Sequence, residues 1–116
     1  FIQSIQSILP IVDEFVINVG QSEDDTLKIV DSISSSKIRI IKSKWNESMN
    51  ERGYVYGQQK MIAQFNCSGD WLFYIEGDEV YHENELATIY DAMKSNLNDS
   101  NVDALAVNFY HFYANK

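Results

Sequence analysis

A chain of 116 residues is long enough for one domain with a real core. Its 45% hydrophobic and 13% aromatic content excludes a disordered segment. A net charge of -8 with no basic stripe excludes nucleic acid as the main partner, because phosphate backbones demand clustered Lys and Arg.

The chain opens on a helical pattern from Phe1 to Leu9, apolar at Ile2, Ile5, Ile8 and Leu9, which Pro10 closes. Phe15 to Val19 is a short β-branched strand, and Gly20-Gln21-Ser22 is the turn after it. Ser22 or Asp24 is placed to cap a helix that carries Leu27, Ile29, Val30 and Ile33. Ser34-Ser35-Ser36 ends it, and Ile38 to Ile41 is a second strand. A polar loop from Lys42 to about Gly53 holds Trp45, and Tyr54 to Asn66 reads as a helix. After the turn Ser68-Gly69-Asp70, the run Trp71-Leu72-Phe73-Tyr74-Ile75 reads as a strand buried on both faces. A helix opens at Glu83 with Leu86, Ile89, Tyr90 and Met93 as its apolar positions, and Asp103 to Val107 enters a final strand. Strands alternating with helices predict an α/β fold, three layers deep, with a mostly parallel sheet.

Cys67 is the single cysteine, so no disulfide forms within the chain, and a small buried apolar residue is its simplest reading. No apolar run is long enough to span a bilayer and no signal peptide is visible. A reduced, cytoplasmic setting is expected, with membrane association left open for a longer protein. The pattern already running at Phe1 and still strand-like near Tyr113 suggests an excerpt of one.

The apolar run ends abruptly in Glu76-Gly77-Asp78-Glu79, three carboxylates around one glycine. Open α/β sheets bind ligands at the carboxyl ends of their strands. Carboxylates gathered there repel one another unless a cation or a donor-rich ligand joins them. Mg²⁺ takes one or two carboxylates together with substrate phosphates, so Glu76 and Asp78 are candidate metal ligands. Strand alternation would point these two the same way and turn Glu79 elsewhere, onto neighbouring backbone or a basic residue. A solvated acidic turn ahead of the next helix would explain the same letters; their position after a buried strand favours a ligand.

Gly20 to Thr26, also between a strand and a helix, suits either an anion at a helix N-terminus or an ordinary capped turn. Lys42, Lys44, Arg52 and Lys60 are four of the nine basic residues. Lys60, on the helix before the acidic strand, is the best placed of them to meet a diphosphate. Trp45 suits stacking on a base or sugar, or folding onto the core. His82 and His111 are isolated and read as structural.

In order and spacing, Ser7 to Ile17, Gly20 to Thr26 and Gly69 to Val80 resemble the donor-binding part of a family 2 glycosyltransferase with the GT-A fold. The resemblance implies a hexosyltransferase-type enzyme that takes a nucleotide-sugar donor and passes the sugar, with inversion, to a glycan, lipid or protein acceptor. It implies Mg²⁺ or Mn²⁺ as cofactor. Glu76-Gly77-Asp78 stands at the family's D-x-D position, with Asp78 on the metal and Glu76 on the ribose or the metal. Lys60 falls near a basic position facing the donor diphosphate. Val19 and Gly20 fall where the family lines its base pocket, and Val19 replaces an Asp that touches the nucleobase. Residues 1–116 would then be one partial domain, with the first strand and the catalytic base outside it, so this stretch alone is expected to bind poorly and turn over nothing.

A nucleotidyltransferase is the alternative enzyme, although no glycine-rich phosphate loop is present. A non-catalytic α/β interaction module and a phosphoacceptor receiver domain are further alternatives. The receiver would require a Lys on a strand after Asp78, and none is convincing.

Overall fold

The computed structural model describes residues 1–21 and 24–113. Helix α1, Ile2–Ile8, buries Ile5 and Ile8, the i, i+3 pair of the sequence pattern, together with Ser4. Pro10 lies in a 3-10 turn, Leu9–Ile11, which ends the helix because proline has no N–H to continue the ladder. Strand β1, Phe15–Gly20, pairs with β2, Ile38–Ser43, in parallel. The register runs from Phe15 opposite Ile38 to Gly20 opposite Ser43. A parallel pair cannot close through a hairpin, and α2, Thr26–Asp31, lies in the crossover. Helix α3, Tyr54–Gln64, packs on β1, and α4, Leu86–Asn96, follows a 3-10 turn at Glu83–Glu85. The class is α/β with a parallel sheet, as the alternation of patterns predicts.

The capping expected of Ser22 lies outside the described residues. Asp24 does act at the start of α2, its Oδ1 accepting the Thr26 N–H at 3.0 Å. His82 is structural: its Nδ1 accepts the Asn84 N–H at 3.2 Å where the 3-10 turn begins. His111 meets the rings of Phe109 and Tyr113. Cys67 is half-buried against α3, its thiol 3.5 Å from the Ala63 carbonyl, and burial pushes its pKa up.

Two expected strands do not form. Residues 71–75 belong to no strand or sheet among the described residues, and they are not buried on both faces. Trp71, Phe73 and Ile75 are half-buried, whereas Leu72 and Tyr74 are 44% and 46% exposed. An apolar run specifies extended backbone, but a strand also needs a neighbour about 4.8 Å away. A cavity of about 980 Å³ is lined both by every residue of β1 and by residues 71–77. The second missing strand is the one expected at 103–107, where Leu105 and Val107 are exposed and unpaired among the described residues.

Candidate functional site

The acids after residue 75 sit on a turn, not on the end of a strand. The Glu79 N–H donates to the Glu76 carbonyl at 3.2 Å, which closes the turn around Gly77 and Asp78. The Glu79 carboxylate folds back and accepts the Glu76 N–H at 2.9 Å, so it serves neighbouring backbone as expected. Helix α1 pins this turn through two hydroxyls. Ser4, 3% exposed, donates to the Glu76 carbonyl at 2.8 Å, and the Ser7 oxygen accepts the Tyr81 N–H at 3.1 Å. A Cβ at Gly77 would meet Cβ of Phe1 at 3.4 Å, an ordinary contact.

The turn replaces the alternation that would put Glu76 and Asp78 on one side. Glu76 lines the cavity, and Asp78 is exposed and does not. Among the described residues, no three His, Cys, Asp or Glu side chains gather as a metal centre. The donor chemistry of Asp78 nevertheless fits a hard cation. Its carboxylate is exposed and joins none of the ion pairs among the described residues. One or two such carboxylates are enough when phosphates supply the remaining oxygens.

Lys60 is the basic residue that reaches the acidic turn. Its Nζ lies 2.6 Å from Oε1 of Glu76 and 4.7 Å from the ring centre of Tyr74. The Tyr74 hydroxyl donates to the same Oε1 at 3.1 Å. The Lys60 hydrogen bond holds the Glu76 carboxyl below its usual pKa, and that same bond raises Lys60 above its own. Burial raises Tyr74 and keeps its hydroxyl a donor. The pair is therefore ionised across the whole neutral range. It is also half-exposed on both sides, so it contributes little to stability and can open without a large penalty. Lys42, Lys44 and Arg52 do not line the cavity.

Val19 and Gly20 end β1 at the same cavity. Val19 is buried, and Gly20 lies under the indole of Trp45, where a Cβ would collide with Nε1 and approach Cδ1 to 2.7 Å. Trp45 meets Tyr56 edge to face, with ring centres 5.2 Å apart and planes at 89°. Below them Asn18 Nδ2 donates to both the carbonyl and Oε1 of Gln59 at 2.9 Å, and the Ser43 hydroxyl donates to that Oε1 at 2.5 Å. The other amide atom, Asn18 Oδ1, is buried with no partner among the described residues.

The structure thus brings Glu76, Lys60, Val19 and Gly20 around one cavity and leaves Asp78 at its turn outside it. Sequence reasoning missed Ser4, Tyr56, Gln59 and Tyr74. The signal for two of them was present: Tyr56, Gln59 and Lys60 follow i, i+3, i+4 spacing and share one face of α3.

The chain matches the sequence profile of Glycosyl transferase family 2 over residues 1–116. It is 32% identical over 77 residues to a Rickettsia felis protein described as an uncharacterized glycosyltransferase. The match takes in 66% of this chain and 23% of that protein, so the chain spans about a quarter of the length of this relative. No solved structure matches. Among the described residues, no helix is long and apolar enough to cross a membrane.

Proposed function

This chain belongs to glycosyl transferase family 2, and from that premise we propose that it forms the nucleotide-sugar-binding part of a hexosyl-transferring enzyme acting in the cytoplasm. One observation carries the reading: a half-exposed cation, Lys60, is held at 2.6 Å from Glu76 on a turn that borders the cavity along β1, which takes in Val19 and Gly20 at the strand's carboxyl end. That is the edge where α/β sheets take ligands. In the donor complex the Lys60 ammonium exchanges its Glu76 contact for the diphosphate, and Glu76, so released, turns to the ribose or the cation. Val19 and Gly20 border the base. Asp78, aided by Glu76, would hold Mg²⁺ or Mn²⁺, and such an ion supplies positive charge to the departing nucleoside diphosphate. Tyr74, bonded to Glu76 and stacked under Lys60, keeps the two groups together until a donor arrives. The base that deprotonates the glycan, lipid or protein acceptor is assigned to no residue of this chain.

Calorimetric titration of the intact protein with UDP and GDP, with and without Mn²⁺, tests the reading. Binding that requires Mn²⁺ and is lost in Asp78→Asn is expected. Absence of binding by the intact protein, or equal binding by the variant, would overturn it.

A further inference from the structure

We infer that Trp45 and Tyr56 form the surface that receives the base of the donor nucleotide, an inference that rests on the donor-binding reading above. Trp45 is 42% exposed and Tyr56 59% exposed, although both line the cavity. Large rings left this open at a concave site have faces still to cover. Because their planes meet at 89°, they form a corner rather than a closed stack. A flat heterocycle can lie on one ring and meet the edge of the other.

The neighbouring chemistry fits a base specifically. Helix α3 presents Tyr56, Gln59 and Lys60 on one face, and the rise from Tyr56 to Lys60 is about 6 Å, room for a ribose between base and phosphate. The Gln59 amide has its oxygen engaged by Asn18 and Ser43, but its Nε2 is held only by a long 3.4 Å bond to the Lys44 carbonyl. That N–H is available to a ring carbonyl. Val19 and Gly20 offer no side-chain hydrogen bond at the strand end, so stacking has to supply the affinity that a polar contact does not. Gly20 is what makes this geometry accessible, since any larger residue displaces the indole.

A competing role for Trp45 is a plain cover over the end of β1. The two roles separate by comparing nucleoside diphosphates with pyrophosphate, which keeps the phosphates and lacks the ring. Calorimetry on the intact protein with Mn²⁺ uses UDP, GDP and inorganic pyrophosphate as probes. Trp45→Ala is expected to weaken both nucleotides by about 10-fold, the scale of one lost base stack, and to leave pyrophosphate unchanged. Tyr56→Leu shifts them the same way by less, and Trp45→Phe, which keeps a ring and guards against a folding defect, retains most of the affinity. In a Trp71→Phe background the remaining indole emission should be quenched by UDP and not by pyrophosphate. Unchanged nucleotide affinity in the folded variants, or an equal loss for pyrophosphate, overturns the assignment while the donor-binding reading stands. Failure of the wild-type protein to bind any of the three overturns both.

Discussion

Gly20→Ala tests the contact on which the strand end is built. An added Cβ would meet the Trp45 indole at Nε1, Cδ1 (2.7 Å) and Cε2 (3.3 Å), so the ring must leave. Gly20 is not among the positive-φ residues, hence alanine suits the backbone and removes unfolded-state freedom, a gain of about 0.4–1 kcal/mol. Against it stands overpacking, about 1–3 kcal/mol. The net expectation is a loss of about 1–2 kcal/mol, read as a lower urea midpoint at constant slope. The decisive measurement is the same substitution made in Trp45→Ala. That background alone should cost about 2–3 kcal/mol, since an indole with 42% exposure covers on the order of 100 Å² of apolar contact. With the indole gone, Gly20→Ala should turn neutral or stabilising, giving a coupling of about 1–3 kcal/mol. An equal penalty in both backgrounds would refute the reasoning, for it would mean that the alanine is resisted by something other than the ring.

Ser4→Ala removes the hydroxyl that ties α1 to the acidic turn and strands a partly buried Glu76 carbonyl, so a loss of about 1–2 kcal/mol in urea unfolding is expected, against almost none for Gln6→Ala on the exposed face. Glu14 accepts the Ser68 N–H and hydroxyl and pairs with Arg39, and the Ser68 N–H above all lowers its pKa. Its contribution is therefore present above the ordinary value of 4.5 and lost as pH falls through the lower folded value; Glu14→Gln should flatten the acid limb of stability measured by urea midpoints below pH 4.5. Lys60→Met should leave the unfolding midpoint nearly unchanged, because its ion pair is half-exposed, yet weaken UDP binding roughly ten-fold or more by calorimetry.

The sequence made the local choices legible and hid the pairings. The 3.6-residue pattern of Ile5 and Ile8, the break at Pro10 and the β-branched run of β1 each depend on neighbours close in sequence, and each element forms where its pattern lies. The apolar run from Trp71 to Ile75 formed neither the expected strand nor its burial on both faces, because a ladder depends on a partner edge that a run of residues cannot specify. Of the acids after it, Glu76 reaches the cavity. The turn that separates it from Asp78 closes through Glu79, three residues on, but what pins it beside α1 is Ser4, 72 residues away, which no local pattern shows. On α1, Ser4 and Ser7 look like ordinary polar positions of an amphipathic helix, and only tertiary packing turns them inward.

The choice of Lys60 over the other cations follows from how α3 is seated. Val55, 1% exposed, and Gln59 stand one turn apart and face β1, the first by burial and the second through the Asn18 amide. Tyr56 and Lys60 are each one residue further on, so the same seating turns both toward the cavity. A slip of α3 by one residue would rotate this face by about 100° and lift Lys60 away from Glu76 and Tyr56 away from Trp45 together. The polar clasp between Asn18 and Gln59 is specific in a way that apolar contact is not, because a misplaced helix would leave a second amide group as unpartnered as Asn18 Oδ1. Lys42 and Lys44, on β2 and the loop after it, do not line the cavity, although the same Gln59 also bonds the Ser43 hydroxyl and the Lys44 carbonyl. Asn18 on β1, with Ser43 at the end of β2 and Lys44 just after it, therefore holds Gln59 and seats the face of α3 that places aromatic ring, amide and ammonium along one side of the cavity.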